Sequence, residues 1–150
     1  MAKLSIKEFV LRYTPHANEV ATKIGVPALV TLTQAALESG WNEHAPAFNF
    51  FGMKAGSTWK GAKQLLSTYE VVNGKRVLVK AYFRAYASAT EAFLDYAMNL
   101  KTSDRYAAAF DHTNNPIKFL KAVIDAGYGT NPSYFTLASS VLNSIKKHVV

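Results

Sequence analysis

The chain has 150 residues, 49% of them hydrophobic, and its 17 Lys and Arg against 10 Asp and Glu give a formal net charge of +7. This length and composition predict one domain whose core buries about 70% of the unfolded surface. The chain has no cysteine, which excludes disulfides, thiolate metal sites and cysteine nucleophiles, and its four histidines are too scattered for a zinc motif. We therefore expect no metal and no other cofactor.

The positive charge indicates a polyanionic partner: nucleic acid, an acidic membrane surface, or a bacterial wall that carries anionic polymer. The basic residues are spread along the chain and form no nucleic-acid recognition motif, so we expect no nucleic-acid partner. Lys3, Lys7 and Glu8 interrupt the apolar core that a signal peptide needs, and nowhere do about 18 apolar residues run together. We expect a monomer with no export signal of its own and no stable membrane insertion.

The N-terminal part of the chain is predicted to be helical. Ser5-Ile6-Lys7-Glu8 is a capping box that begins a first helix, and Pro15 is expected to stop or restart it. A second helix is therefore predicted over residues 15–24. A third helix is predicted over residues 27–38, and Gly40 is expected to end it.

The middle of the chain changes character. Residues 40–61 are rich in Gly, Asn, Ala and aromatic residues without clean periodicity, which predicts a long ordered loop of the kind that is often functional. Two β-branched and aromatic runs, residues 64–72 and 77–83, then flank Asn73-Gly74. This pattern is typical of a β-hairpin. We expect it to be the only sheet.

The C-terminal part is again predicted to be helical. Ser88-Ala89-Thr90-Glu91 is a second capping box and begins a helix that reaches Leu100. Three more helices are predicted over residues 104–110, 116–127 and 132–148.

These elements predict an α+β fold that is mainly α-helical. We expect a single domain over residues 1–150, with an N-terminal helical scaffold over residues 1–27. Residues 64–86 form a β-hairpin lobe. No internal repeat, low-complexity tract or linker divides the chain.

Glu38 lies at the end of an apolar helical stretch, directly before Ser39, Gly40 and Trp41. We expect it where apolar packing meets an open cleft. Burial against apolar neighbours disfavours the ionised form and raises the pKa of a carboxyl group, so such a side chain can hold a proton near neutral pH. This is the profile of a general acid.

Elimination among the ten acidic residues leaves one partner for Glu38. Glu8 and Glu91 have capping roles, and Glu43 lies in a polar loop. Five others lie on patterned helices, where a solvated face is the ordinary explanation: Glu19, Asp95, Asp104, Asp111 and Asp125. Glu70 remains, on the first hairpin strand. A strand glutamate usually just faces outward, but cleavage of a glycosidic bond needs a protonated acid and usually a second carboxylate, acting as base or nucleophile.

Aromatic residues cluster between and after these two carboxylates. Sugar rings have apolar faces and polar edges, which suit flat amphipathic side chains. Trp41 is the candidate for a cleft wall, and Tyr128 and Tyr134 are candidates from a later Gly-rich segment. The alternative for the loop aromatics is a satellite core under the long loop, above all for Phe50, Phe51 and Trp59.

Over about residues 28–145 the chain resembles the flagellar-type peptidoglycan N-acetylglucosaminidases, glycoside hydrolase family 73 of the lysozyme-like superfamily. Four blocks, in this order, carry the resemblance: Gln34-Ala35-Ala36-Leu37-Glu38-Ser39-Gly40-Trp41; Asn49-Phe50-Phe51-Gly52-Met53-Lys54 with Trp59-Lys60-Gly61; Thr68-Tyr69-Glu70 with Phe83-Arg84-Ala85-Tyr86; and Ala126-Gly127-Tyr128 with Asn131-Pro132-Ser133-Tyr134. The resemblance implies a lysozyme-like helical domain in which the hairpin lobe flanks a substrate cleft. It also implies cleavage within peptidoglycan glycan strands, at the β-1,4 bond after N-acetylglucosamine.

The resemblance also implies roles for individual residues. Glu38 falls on the general acid and Glu70 on the second carboxylate. Tyr134 falls close to the reacting sugar. Four residues of the second block fall on the lining of the cleft: Asn49, Phe51, Gly52 and Lys54. The family often has Thr-Glu-Tyr around the second carboxylate, whereas this chain has Thr68-Tyr69-Glu70. Counting back along the hairpin from Phe83 still selects Glu70 as the second carboxylate. A slip of one residue in the strand register would turn Glu70 to the other face of the hairpin.

Several alternatives stay open at this point. Glu70 either activates water, which inverts the sugar, or stabilises positive charge while the substrate's acetamido group attacks, which retains its configuration. A muramidase would cut the alternate bond of the same polymer, and a non-catalytic wall-binding module would use the same aromatics. We expect a protein made in the cytoplasm that acts on the wall after release or delivery, as a phage-type lysin or a secreted effector does.

Overall fold

The computed structural model describes residues 2–129 and 131–149. These residues form five α-helices, one antiparallel hairpin and two 3₁₀ segments. The helices are α1 (Ile6–Ile24), α2 (Ala28–Ser39), α3 (Ala89–Thr102), α4 (Pro116–Asp125) and α5 (Tyr134–Lys146); the strands are β1 (Lys63–Val72) and β2 (Lys75–Arg84); the 3₁₀ segments are Pro46–Phe48 and Asp104–His112. The prediction of a mainly helical α+β fold with one hairpin is confirmed.

Helix α1 is continuous, so the predicted break at Pro15 is wrong. Its N-terminus is capped as expected, because Ser5 Oγ accepts a hydrogen bond of 3.1 Å from the Glu8 N–H. Proline inside a helix removes one N–H and leaves the carbonyl four residues earlier without its partner. Here that carbonyl belongs to Leu11, and both Leu11 and Pro15 lie on the exposed face of α1, where water can satisfy it.

The hairpin has the turn that its sequence predicts. Asn73 and Gly74 have φ angles of 51° and 77°, the left-handed pair that a two-residue hairpin turn requires. The register pairs Glu70 with Val77 and Gln64 with Phe83. The loop before the hairpin pairs with the other edge of β2 through an isolated bridge between Lys54 and Phe83.

Helix α2 lies at the centre of the domain and packs against α1, α4 and α5. Its middle turns are fully buried, including Val30, Leu32 and Ala35. The long loop is fixed to this core by Phe50, whose ring lies 5.2 Å from that of Phe93 on α3. Within the part of the chain that the structure describes, no helix has both the length and the hydropathy to span a bilayer.

Candidate active site

Glu38 lies on the last turn of α2, where the buried face of the helix reaches the surface. Gln34 and Ser39 are fully buried, whereas the Glu38 side chain is exposed. Gly40, with φ 58°, ends the helix, and the Trp41 N–H donates to the Ala36 carbonyl at 2.8 Å. The expectation that Glu38 is buried among apolar side chains is therefore wrong. Only the first half of that expectation, a position at the edge of the apolar packing, is correct.

One oxygen of Glu38 is held by Tyr134, the first residue of α5. The Tyr134 hydroxyl donates to Glu38 Oε1 at 3.1 Å across 96 residues of sequence. Burial raises the pKa of Tyr134 well above its ordinary value, and the charge of Glu38 and the hydrogen bond to it raise it further. Tyr134 therefore stays protonated and donates throughout the physiological pH range. Glu38 Oε1 is thereby oriented.

A buried pair lies behind these two residues. Tyr96 on α3 donates a hydrogen bond to Oε1 of Gln34, which lies one helical turn before Glu38. The Phe51 ring stacks on Tyr96 with centroids 4.2 Å apart and an interplanar angle of 9°. Burial is the largest cause that raises the pKa of Tyr96, and the neighbouring tyrosines and Glu38 add to it. Neither the place of Tyr96 in the site nor the role of Gln34 was predicted from the sequence.

Tyr128 joins this group from the loop between α4 and α5. Its pKa is raised by burial and then by the charge of Glu38 and its tyrosine neighbours. Its ring lies 6.3 Å from that of Tyr106 in the second 3₁₀ segment. The structure therefore brings together three residues of the predicted site around Glu38: Phe51, Tyr128 and Tyr134.

Glu70 lies on a different element and has a different partner. It occupies a half-buried position of β1, on the face it shares with Gln64, Leu66 and Thr68. Its Oε1 lies 2.6 Å from Nζ of Lys54, with 43% of the Glu70 side chain and 55% of the Lys54 side chain exposed. The register thus turns Glu70 towards the loop that carries Lys54.

Asn49 has a structural position that the sequence analysis did not predict. Its side chain is 3% exposed. The amide donates to the Met53 carbonyl at 3.0 Å and to the Arg84 carbonyl at 2.9 Å, and Oδ1 accepts from the Met53 N–H at 2.9 Å. These backbone bonds use both amide hydrogens of Asn49, and its place in the lining of the cleft stays a prediction. Asn49 fixes the turn at Gly52 (φ 64°) and the position of Lys54.

Trp41 is also placed differently from the expectation. Its half-buried ring packs edge-on against Phe9 of α1, with centroids 5.5 Å apart, and its carbonyl accepts from the Leu4 N–H at 2.9 Å. It therefore covers the N-terminal segment, and the assignment of Trp41 as the cleft wall is corrected.

The solvated face expected for Asp95 is wrong as well. Asp95 Oδ2 accepts from Arg84 Nη1 at 2.8 Å and from the Tyr86 hydroxyl at 2.5 Å. The ion pair is mostly buried, with 22% of each side chain exposed. Burial and Asp95 together raise the pKa of Tyr86 well above its ordinary value. This cluster holds the end of β2 against α3, and β2 in turn pairs with β1, the strand that carries Glu70.

The described residues offer no obvious metal site. Among residues 2–129 and 131–149, no three His, Asp or Glu side chains come together as ligands. The polar groups around Glu38 are instead phenols and an amide, Tyr134, Tyr96 and Gln34.

The helical core, the single hairpin and an exposed helix-end glutamate define a domain of the lysozyme-like class. The comparisons agree with this class. The solved structure of a C-terminally truncated glycoside hydrolase domain of FlgJ from Salmonella typhimurium superposes with a TM-score of 0.83 at 36% identity, covering 95% of this chain and 99% of that one.

Sequence comparison gives the family. Residues 14–147 match the glucosaminidase family, described as mannosyl-glycoprotein endo-β-N-acetylglucosaminidase. The chain belongs to this family. It is 36% identical over 151 residues to the peptidoglycan hydrolase FlgJ of Pseudomonas aeruginosa and 39% identical over 132 residues to that of Vibrio cholerae. These matches cover 96% and 84% of this chain but only 38% and 40% of the two relatives, so the chain spans well under half of their length.

Proposed function

We propose that this chain is a peptidoglycan hydrolase, an endo-β-N-acetylglucosaminidase that cleaves the β-1,4 bond after N-acetylglucosamine. The observation that carries the proposal is the placement of Glu38. It combines an exposed carboxyl group at the end of a buried helix with a tyrosine hydroxyl that holds one of its oxygens. Membership of the glucosaminidase family and the similarity to named peptidoglycan hydrolases support the same activity.

Glu38 is the proposed proton donor. Tyr134 holds Oε1, and no hydrogen bond to Oε2 is found among residues 2–129 and 131–149, so Oε2 is the proposed oxygen that approaches the glycosidic oxygen of a glycan strand. Glu38 is exposed in the structure, so apolar side chains do not enclose its carboxyl group before substrate binds. A glycan strand lying over Glu38 would displace the water around it, and desolvation favours the protonated form of a carboxyl group. In this proposal, bound substrate therefore favours the protonated form of Glu38 that the reaction needs.

Glu70 is the proposed second carboxylate. The pairing with Lys54 and the anchor at the base of β2 define its resting position. Two routes use it: activation of a water molecule, with inversion, or stabilisation of positive charge while the acetamido group of the substrate attacks, with retention. Proton NMR of the first-formed product distinguishes the routes, because inversion releases the α-anomer and retention the β-anomer.

The proposed sugar-binding surface surrounds Glu38. Phe51 and Tyr128 offer aromatic faces, and Tyr134 offers a hydroxyl. Gly52 and Lys54 belong to the turn that Asn49 fixes. The net charge of +7 favours approach to anionic wall polymer. How the protein reaches the wall, as a phage-type lysin or a delivered effector, stays a prediction.

Digestion of purified peptidoglycan tests the proposal. The products are reduced with borohydride and identified by mass spectrometry, with Glu38→Gln as the inactive control. A new N-acetylglucosamine reducing end is the expected result. A new N-acetylmuramic acid end would identify a muramidase. Co-sedimentation with the wall without new reducing ends would identify a binding module, and either outcome overturns the proposed activity.

A further inference from the structure

The hairpin has an apolar face that the domain does not cover. The name outer face is used for nine side chains: Lys63, Leu65, Ser67, Tyr69 and Val71 of β1, and Arg76, Leu78, Lys80 and Tyr82 of β2. They alternate with the positions turned towards the domain, where Glu70 lies. Exposure is 50% for Leu65, 55% for Tyr69 and 60% for Leu78. Water-exposed apolar side chains grouped in this way are typical of an interaction surface.

All the charges of the outer face are positive. Lys63, Arg76 and Lys80 belong to it, and the single acidic residue of the two strands, Glu70, lies on the opposite face and pairs with Lys54. Such a surface attracts an anionic partner.

Two of the cations are held in place by aromatic rings. The Arg76 guanidinium carbon lies 3.8 Å from the ring centroid of Tyr69, and Lys63 Nζ lies 4.5 Å from that of Tyr82. These cation–π contacts position the charged groups within the apolar surface. They also cover one face of each ring, which leaves less ring surface for stacking on a sugar.

The combination of apolar and cationic side chains selects among the possible partners. A second copy of this face would bring like charges together. A soluble polyanion would satisfy the cations but would leave Leu65, Val71 and Leu78 in water. The interface of an anionic bilayer satisfies both, because acyl chains receive the apolar groups and phosphates receive the cations, with tyrosine at the boundary.

We propose that the outer face of the hairpin docks on an anionic phospholipid surface. The contact is peripheral: side chains enter the headgroup region and no segment crosses the bilayer. This surface is separate from the proposed glycan site: Glu38 and its partners lie on α2, α3 and α5, and Glu70 lies on the opposite face of the hairpin. The hairpin would thereby place the hydrolase at the membrane side of its polymer.

Vesicle co-sedimentation tests the proposal. The intact chain is mixed with vesicles of equal parts phosphatidylglycerol and phosphatidylcholine, or of phosphatidylcholine alone, at rising salt. We expect binding to the anionic vesicles only. Arg76→Gln/Lys80→Gln should weaken it about 25-fold, since each cation near an anionic surface contributes about fivefold. Leu65→Ser/Leu78→Ser should weaken it about tenfold through the lost apolar burial.

Control variants carry substitutions of the same kind at exposed positions outside the outer face. Lys118→Gln/Lys147→Gln removes the same charge from exposed positions on α4 and after α5. Leu11→Ser removes an apolar side chain that is 77% exposed on α1. Both should bind within about twofold of wild type. Thermal melts verify folding, and if the leucine double variant does not fold, Leu78→Ser alone gives the same comparison.

Three outcomes overturn the proposal. One is equal binding of the outer-face variants and their controls. Another is loss through the charge variant alone, with the same loss on soluble polyphosphate, which identifies a polyanion site. The third is a dimer in sedimentation velocity that Leu65→Ser/Leu78→Ser dissociates, which identifies a second copy as the partner. None of these outcomes bears on release of reducing ends, so they are distinguishable from failure of the proposed hydrolase.

Discussion

Replacing Glu38 by glutamine separates a catalytic role from a structural one. The side chain is exposed, and its described hydrogen bond is the one from Tyr134 to Oε1, which a glutamine oxygen can also accept. We therefore expect the free energy of unfolding to change by less than about 0.5 kcal/mol, which corresponds to a Tm shift below about 2 °C for a chain of this size. Removal of a general acid slows the reaction by about 10²- to 10⁴-fold. At about 1.4 kcal/mol per tenfold, this is about 3 to 5 kcal/mol of transition-state stabilisation, several times the stability effect.

The assay is the rate of release of reducing ends from purified peptidoglycan, measured for protein whose thermal melt matches wild type. Glu43→Gln is the matched control, because it removes the same charge from a side chain that is 50% exposed and lies just beyond the end of α2. We expect it to retain near wild-type activity. A folded Glu38→Gln protein that keeps more than a few per cent of the rate would refute the assignment of Glu38 as the acid.

Three further predictions concern the tyrosines behind Glu38. Gly129→Ala should lower activity in the reducing-end assay more than Gly74→Ala does. Both glycines have positive φ, so both substitutions strain the backbone, but only at Gly129 would the new Cβ lie 3.1 Å from the ring of Tyr134. Tyr96→Phe leaves Gln34 Oε1 buried and unpaired, so guanidinium titration should show a loss of about 1 to 3 kcal/mol of stability, and no loss would contradict this packing. Because burial raises the pKa of Tyr96 and Tyr134 in the folded state, the unfolded chain releases their protons first. The free energy of unfolding should therefore be insensitive to these groups below pH about 10 and fall above it, with tyrosinate absorbance rising together with unfolding.

Elements that depend on short stretches of sequence were predictable. Both serine N-caps form, because a serine hydroxyl reaches the N–H three residues later without help from the rest of the chain. The hairpin turn follows from Asn73-Gly74 in the same way. The break at Pro15 failed because an exposed proline costs a helix less than a buried one, and exposure is a property of the fold.

The site was predictable only in part, since its geometry comes from pairs that are distant in sequence. The Tyr96–Gln34 hydrogen bond joins residues 62 positions apart, and the Tyr134–Glu38 hydrogen bond joins residues 96 positions apart. The position of Gln34, four residues before Glu38, was a usable signal, because residues i and i+4 share a helix face. Nothing local marked Tyr96. Asp95 was misassigned because a helical pattern does not reveal that Arg84 and Tyr86 meet it.

The sequence of the hairpin could not predict which of its two faces turns towards the domain. Alternation puts Glu70 with Leu66 and Thr68 on one face, and Leu65 and Tyr69 on the other. A hairpin that covers a core usually has apolar residues on one face and polar residues on the other. Here both faces carry apolar residues, so the pattern fixes which residues share a face but not which face turns inward. The apolar character of the outward face therefore has no explanation in the core of this domain, and a partner outside the domain accounts for it.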